Sequence, residues 1–148
     1  MNKFILIKCF FLIISFNSLA KQTYISGSAP WAQQKNLERA EHYNKLTLGL
    51  NKSILKYLDS YESRIFTKQM ESWAQYSENT CAAVAFSSGT TGSRLKVYKS
   101  MCQKGLNYNR YFSTKNALKC IERISNQKYS EPGVKSSCLL QTFNIKVY

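Results

Sequence analysis

ESWAQYSENTC, residues Glu71–Cys81, decides how this chain is read. It sets Trp73, Tyr76 and Cys81 in a W-x-x-Y-x-x-x-x-C spacing among residues that are almost all polar. At 100° per residue on a helix, Trp73 shares its face with Phe66, Ser77, Thr80 and Val84. Tyr76 then lies about 60° to one side of Trp73 and Cys81 about 80° to the other. The expectation is a helix with Trp73 centred toward the core and with Tyr76 and Cys81 on its flanks. A flanking cysteine can reach a neighbouring helix.

Toward the N-terminus the same face continues through Met70 and Phe66. Before it, Leu50, Ile54, Leu58, Tyr61 and Ile65 recur at intervals of three and four, one apolar stripe on a helix. Asp59, Ser60 and Ser63 are able to cap a restart, so the pattern leaves open whether one helix or two carry it. Ser28-Ala29-Pro30-Trp31 has the residues of a helix start, with proline in the first turn. A polar helix is expected from there to about Leu48, with Gly49 as a bend or an interruption.

Toward the C-terminus, Ser87–Ser93 contains two glycines and no apolar residue, and reads as a loop. Leu95, Tyr98, Cys102 and Leu106 restore a helical period, extended by Ala117, Cys120, Ile121 and Ile124. Glu131-Pro132-Gly133 predicts a turn. The tail from Cys138 to Tyr148 ends in an alternating Phe143-x-Ile145-x-Val147 pattern, expected as a strand or an extended arm. The fold expected is all-α: a small disulfide-tied helical bundle or hairpin with an extended or β-like C-terminal tail.

The first residues, 1–20, have the layout of a secretory signal. Lys3 and Lys8 lie around an apolar run from Phe10 to Phe16, and Ser18-Leu19-Ala20 ends it with small residues. That run is short for a spanning helix, which needs about 20 apolar residues. Cleavage after Ala20 leaves residues 21–148, enough for one modest core. A helical domain is expected over 21–128 and an extension over 129–148. No membrane-spanning segment is expected after cleavage, and the chain is expected to be periplasmic or secreted.

Cys9 leaves with the signal, and Cys81, Cys102, Cys120 and Cys138 remain. An even count in an exported chain predicts two disulfides, with three pairings to choose from. A helix returning antiparallel from the Ser87–Ser93 loop brings Cys102 back to Cys81. Cys120 would then pair with Cys138, which is the least entangled of the three arrangements. The chain has no C-x-x-C or H-x-x-x-H spacing, and His42 is its only histidine, so no metal site is expected. Nothing in the sequence calls for a cofactor.

The whole chain carries a formal net charge of +13. Without Lys3 and Lys8 this becomes +11, distributed as +2 over residues 21–80 and +9 over residues 81–148. A positive second half favours anionic partners.

Together, Leu50-Asn51, Leu55, Leu58, Trp73-x-x-Tyr76-x-x-x-x-Cys81, Gly92-Ser93, Cys102 and Arg110 resemble the lysozyme-inhibitor LprI-like family over roughly residues 38–112. Met70 stands where that family has glutamine, and Ser77-Glu78 stands where it has Arg-Asp. The resemblance implies a small, mostly helical, disulfide-tied domain of the bacterial envelope, with lysozyme inhibition by at least one member. It marks Trp73, Tyr76 and Arg110 as its structural motif, with Arg110 expected to reach Glu78 or helix-end carbonyls.

Catalysis is not expected. His42 has no partner in sequence, and Glu38 with Glu41 is an ordinary solvated pair. Gly89–Arg94 lacks the spacing and the lysine of a phosphate loop. Binding is the leading expectation, directed at a protein such as a cell-wall hydrolase. Thr90, Thr91, Ser93 and Arg94, backed by Lys96, would form the occluding loop and place positive charge near catalytic carboxylates. A second expectation is binding of an anionic envelope polymer through Lys96, Lys99, Lys104, Lys115, Lys119, Arg123 and Lys128, with Tyr98, Tyr108 and Tyr111 interleaved. Export argues against intracellular nucleic acid. A third is a structural or assembly subunit of an envelope complex.

Overall fold

The computed structural model describes residues 24–126, 134–140 and 142. The signal-like segment, the Glu131–Gly133 turn and the Phe143–Val147 pattern lie outside them. Four helices follow in order: α1 (Ala29–Leu55), α2 (Ser60–Ser87), α3 (Gly92–Ser125) and α4 (Val134–Leu140). No strand occurs among the described residues. Cys138, Leu139 and Leu140, read with the extended tail, are helical.

α1 starts as its sequence predicts. Ser28 is the N-cap, its hydroxyl accepts from the Trp31 N–H at 3.3 Å, and Pro30 occupies the first turn. Gly49 does not interrupt α1, which ends only at Leu55. The apolar stripe from Leu50 to Ile65 is therefore divided between two helices. The restart is set by Asp59, whose carboxylate accepts from the N–H groups of Tyr61 and Glu62, each at 2.8 Å. Glu62 reaches back to the Asp59 N–H at 3.1 Å, completing a capping box. Three-and-four spacing survives a short turn between helices, so periodicity alone does not reveal such a break.

The buried face of α2 is rotated from the one expected. It runs through Phe66, Ser77, Cys81 and Ala85, while Val84 is exposed and Trp73 is half-buried. Cys81 is thus at the centre of the contact face rather than on its flank. The bond from Cys81 to Cys102 pulls this side of α2 onto α3.

α3 is the central element, and α1, α2 and α4 all pack on it, whereas α1 and α2 scarcely meet. Contacts between α1 and α3 advance together along both chains. Asn36 donates to Ser100, and Tyr43 stacks edge-on to Tyr108, so the two helices run parallel. α2 runs antiparallel to both. The apolar core lies at one end, where Ile54, Phe66, Ala117, Ile121, Ile124 and Cys138 meet. Burying Phe66 there stabilises the fold by about 2–3 kcal/mol. The Cys81–Cys102 and Cys120–Cys138 bonds have Cα separations of 5.4 and 5.6 Å. The second ties α4 across this core, and Lys135 of α4 donates to the Tyr57 carbonyl at 3.2 Å.

Candidate functional site

The hairpin between α2 and α3 is short. Ser88–Thr91 connects the helices, so Ser93, Arg94 and Lys96 belong to the first turns of α3. Gly89 and Gly92 have φ of +66° and +62°, a backbone region that disfavours any side chain. The Ser88 hydroxyl lies 2.6 Å from the Ala85 carbonyl and 2.9 Å from the Thr90 hydroxyl. Thr90 is consequently half-buried. Thr91 is the N-cap of α3 without a side-chain cap bond, and Thr91, Ser93, Arg94 and Lys96 are exposed. The predicted binding residues therefore share one tip, braced by the Cys81–Cys102 bond.

The basic residues of α3 do not form one uninterrupted patch. Lys99 and Gln103 both donate to Glu78 on α2, the latter at 3.0 Å. The hydrogen bond from Lys99 holds the Glu78 carboxyl below its ordinary pKa. Lys115 stands 5.8 Å over the Tyr111 ring, within an aromatic group that includes Tyr43, Tyr108 and Phe112. Lys119 and Arg123 are exposed farther along, and Lys128 lies outside the described residues.

A groove of about 550 Å³ opens where α1 and α2 part above α3. Trp73, Met70 and Leu48 supply apolar wall, and Asn51, Ser77 and Arg110 supply polar lining. Arg110 and Asn51 are each only 5 % exposed. The Arg110 guanidinium carbon is 4.5 Å from the Trp73 ring centroid. Burial pushes its pKa down to about 10, so the group remains charged at neutral pH. Asn51 Oδ1 is buried and accepts no hydrogen bond among the described residues. Glu41 and Glu78 also line the groove, paired respectively with Lys45 at 2.8 Å and with Lys99.

Register explains why Trp73 meets Arg110. Trp73 lies eight residues before Cys81, and Arg110 lies eight residues after Cys102. Equal steps of about 12 Å in opposite chain directions bring the two side chains to the same level of an antiparallel hairpin. Asn51, Trp73 and Arg110 thus line one groove. Tyr76 does not join them in the lining. It is 53 % exposed, with its ring 5.4 Å from that of Trp73. Sequence reasoning missed the groove. Its signal was polar residues inside apolar positions, Ser77 on the Trp73 face and Asn51 beside Leu50. No family model, no curated protein and no solved structure matches this chain.

Proposed function

We propose that this chain is an exported binding protein of the bacterial envelope that inhibits a cell-wall hydrolase by inserting its α2–α3 tip into the enzyme's cleft. The observation carrying this reading is the tip itself. It is narrow and glycine-shaped, exposes Ser93, Arg94 and Lys96, and is stapled below by a disulfide. A rigid frame spares most of the ordering cost that a loose loop meets on binding. Exposed cations at the tip complement the carboxylates of a glycosidase cleft. The two disulfides support an oxidising compartment. No helix among the described residues is long and apolar enough to cross a membrane.

The excess of basic residues in the second half favours an acidic or neutral hydrolase over a strongly basic one. The test is turbidity clearing of peptidoglycan by hydrolases of low and high isoelectric point, with the oxidised protein added. Inhibition of the acidic enzyme, weakened at least tenfold in the Arg94→Glu, Lys96→Glu variant, is the expected result. Lack of both inhibition and complex formation with either enzyme would overturn the proposal.

A second reading, binding of an anionic envelope polymer, draws on exposed Lys119 and Arg123 beside the Lys115–Tyr111 pair. Its mark would be affinity that falls steeply with salt. A shape-matched hydrolase complex would fall less.

A further inference from the structure

We infer that the groove between α1 and α2 is a second binding site, for a small ligand that presents a carboxylate beside an N–H group, as the C-terminal residue of a short peptide does. Nothing in this inference depends on the tip.

The donor set selects the ligand. Arg110 brings a nearly buried guanidinium to the groove lining. Its planar fork matches a carboxylate through two parallel hydrogen bonds, and removal from water strengthens that pairing. Asn51 lines the same groove, and its buried Oδ1 is a desolvated acceptor with no donor among the described residues. A buried acceptor is satisfied by an N–H, which a bare carboxylate lacks and a peptide's last residue supplies. The amides of Asn44, Gln103 and Asn107 lie in the same lining and offer both donors and acceptors to a preceding peptide unit. Leu48, Met70 and Trp73 provide apolar wall for ligand side chains.

The acidic residues narrow the class further. Glu41 and Glu78 line the groove while carrying lysine partners of their own. They oppose a highly charged anion such as a polyphosphate, yet tolerate a ligand with one carboxylate and a neutral backbone. The volume, about 550 Å³, falls within the range of small-ligand pockets and suits a di- or tripeptide.

Calorimetric titration of the oxidised protein with N-acetyl-Ala-Ala, as the free acid and as the C-terminal amide, tests the inference. The free acid should bind, and the amide should bind at least tenfold more weakly. In ¹⁵N spectra the side-chain amide signals of Asn51 and Asn107 should shift with the acid. Asn51→Ala should weaken binding of the acid. Arg94→Glu at the tip should leave peptide binding unchanged, which separates the two sites. Equal affinity for acid and amide, or no heat and no shift at millimolar peptide, would overturn it. That comparison uses the unmodified protein, so it stands even where a groove variant fails to fold.

Discussion

Arg110 of α3 stands over the indole of Trp73 of α2, 4.5 Å from the ring centroid, on a helix pair already joined by Cys81–Cys102. A guanidinium removed from water over a tryptophan face is attracted by the ring quadrupole with about 2 kcal/mol. A double-mutant cycle through Trp73→Leu and Arg110→Met, read by urea unfolding, should give a coupling of about 1–2 kcal/mol. Strict additivity of the two substitutions would show that the pair is only packed together.

The disulfides should differ in consequence although they close loops of similar length, with sequence separations of 21 and 18. Chain entropy assigns each about 3 kcal/mol. Cys120–Cys138 also holds Cys138 in the apolar core. Replacing Cys120 and Cys138 by serine should therefore lower the unfolding midpoint more than replacing Cys81 and Cys102. The latter change should chiefly loosen α2 from α3 and quench the Trp73–Arg110 coupling. Equal losses for the two variants would contradict this division.

Asp59 places the break between α1 and α2. Asp59→Ala removes the acceptor for two N–H groups and should cost about 1 kcal/mol in denaturant unfolding. Asp59→Asn keeps a capping oxygen and should recover most of that loss. If alanine is neutral, the break is held by core packing alone.

Glu78 should make stability depend on acid. Its folded pKa lies below the ordinary value of 4.5, first because Lys99 donates a hydrogen bond to it. The folded state therefore holds that proton less tightly than the unfolded chain. The contribution is complete above the unfolded pKa and disappears as pH falls through the folded one. Glu78 is about half exposed, so the effect is small. Unfolding curves from neutral to acid pH should show a shallower acid decline for Glu78→Gln. An unchanged acid limb would remove Glu78 from the account.

Much of the helical order was legible in the residues themselves. Ser28 with Pro30 marked the first start, Ser87–Ser93 marked the hairpin, and the apolar period through Ile124 marked a continuous α3. The pairing of four cysteines followed from the hairpin. The two-helix division at Asp59 was less legible, because an apolar period of three and four passes over a short turn. The rotation of α2 was not legible either. A wheel centred on Trp73 weighs the largest side chain most, whereas the disulfide brings Cys81 inward and leaves Val84 in solvent.

The candidate tip was visible as an apolar-free run with two glycines, and the structure keeps its residues together. The groove was not visible as a site, because its polar lining comes from three helices far apart in sequence. Asn51, Ser77 and Arg110 belong to three separate helices, and no pattern along the chain shows that they meet.

The sequence alone determined the start of α1, the hairpin, the course of α3 and the covalent partners. Those depend on neighbours within a few residues, or on loops short enough to leave one untangled pairing. The tertiary structure decided which face of α2 is buried, that α1 and α2 part above α3, and that Asn51, Trp73 and Arg110 line one groove. Helix propensities and periods act along one chain segment, whereas the rotation and divergence of packed helices arise from how all three share a single core.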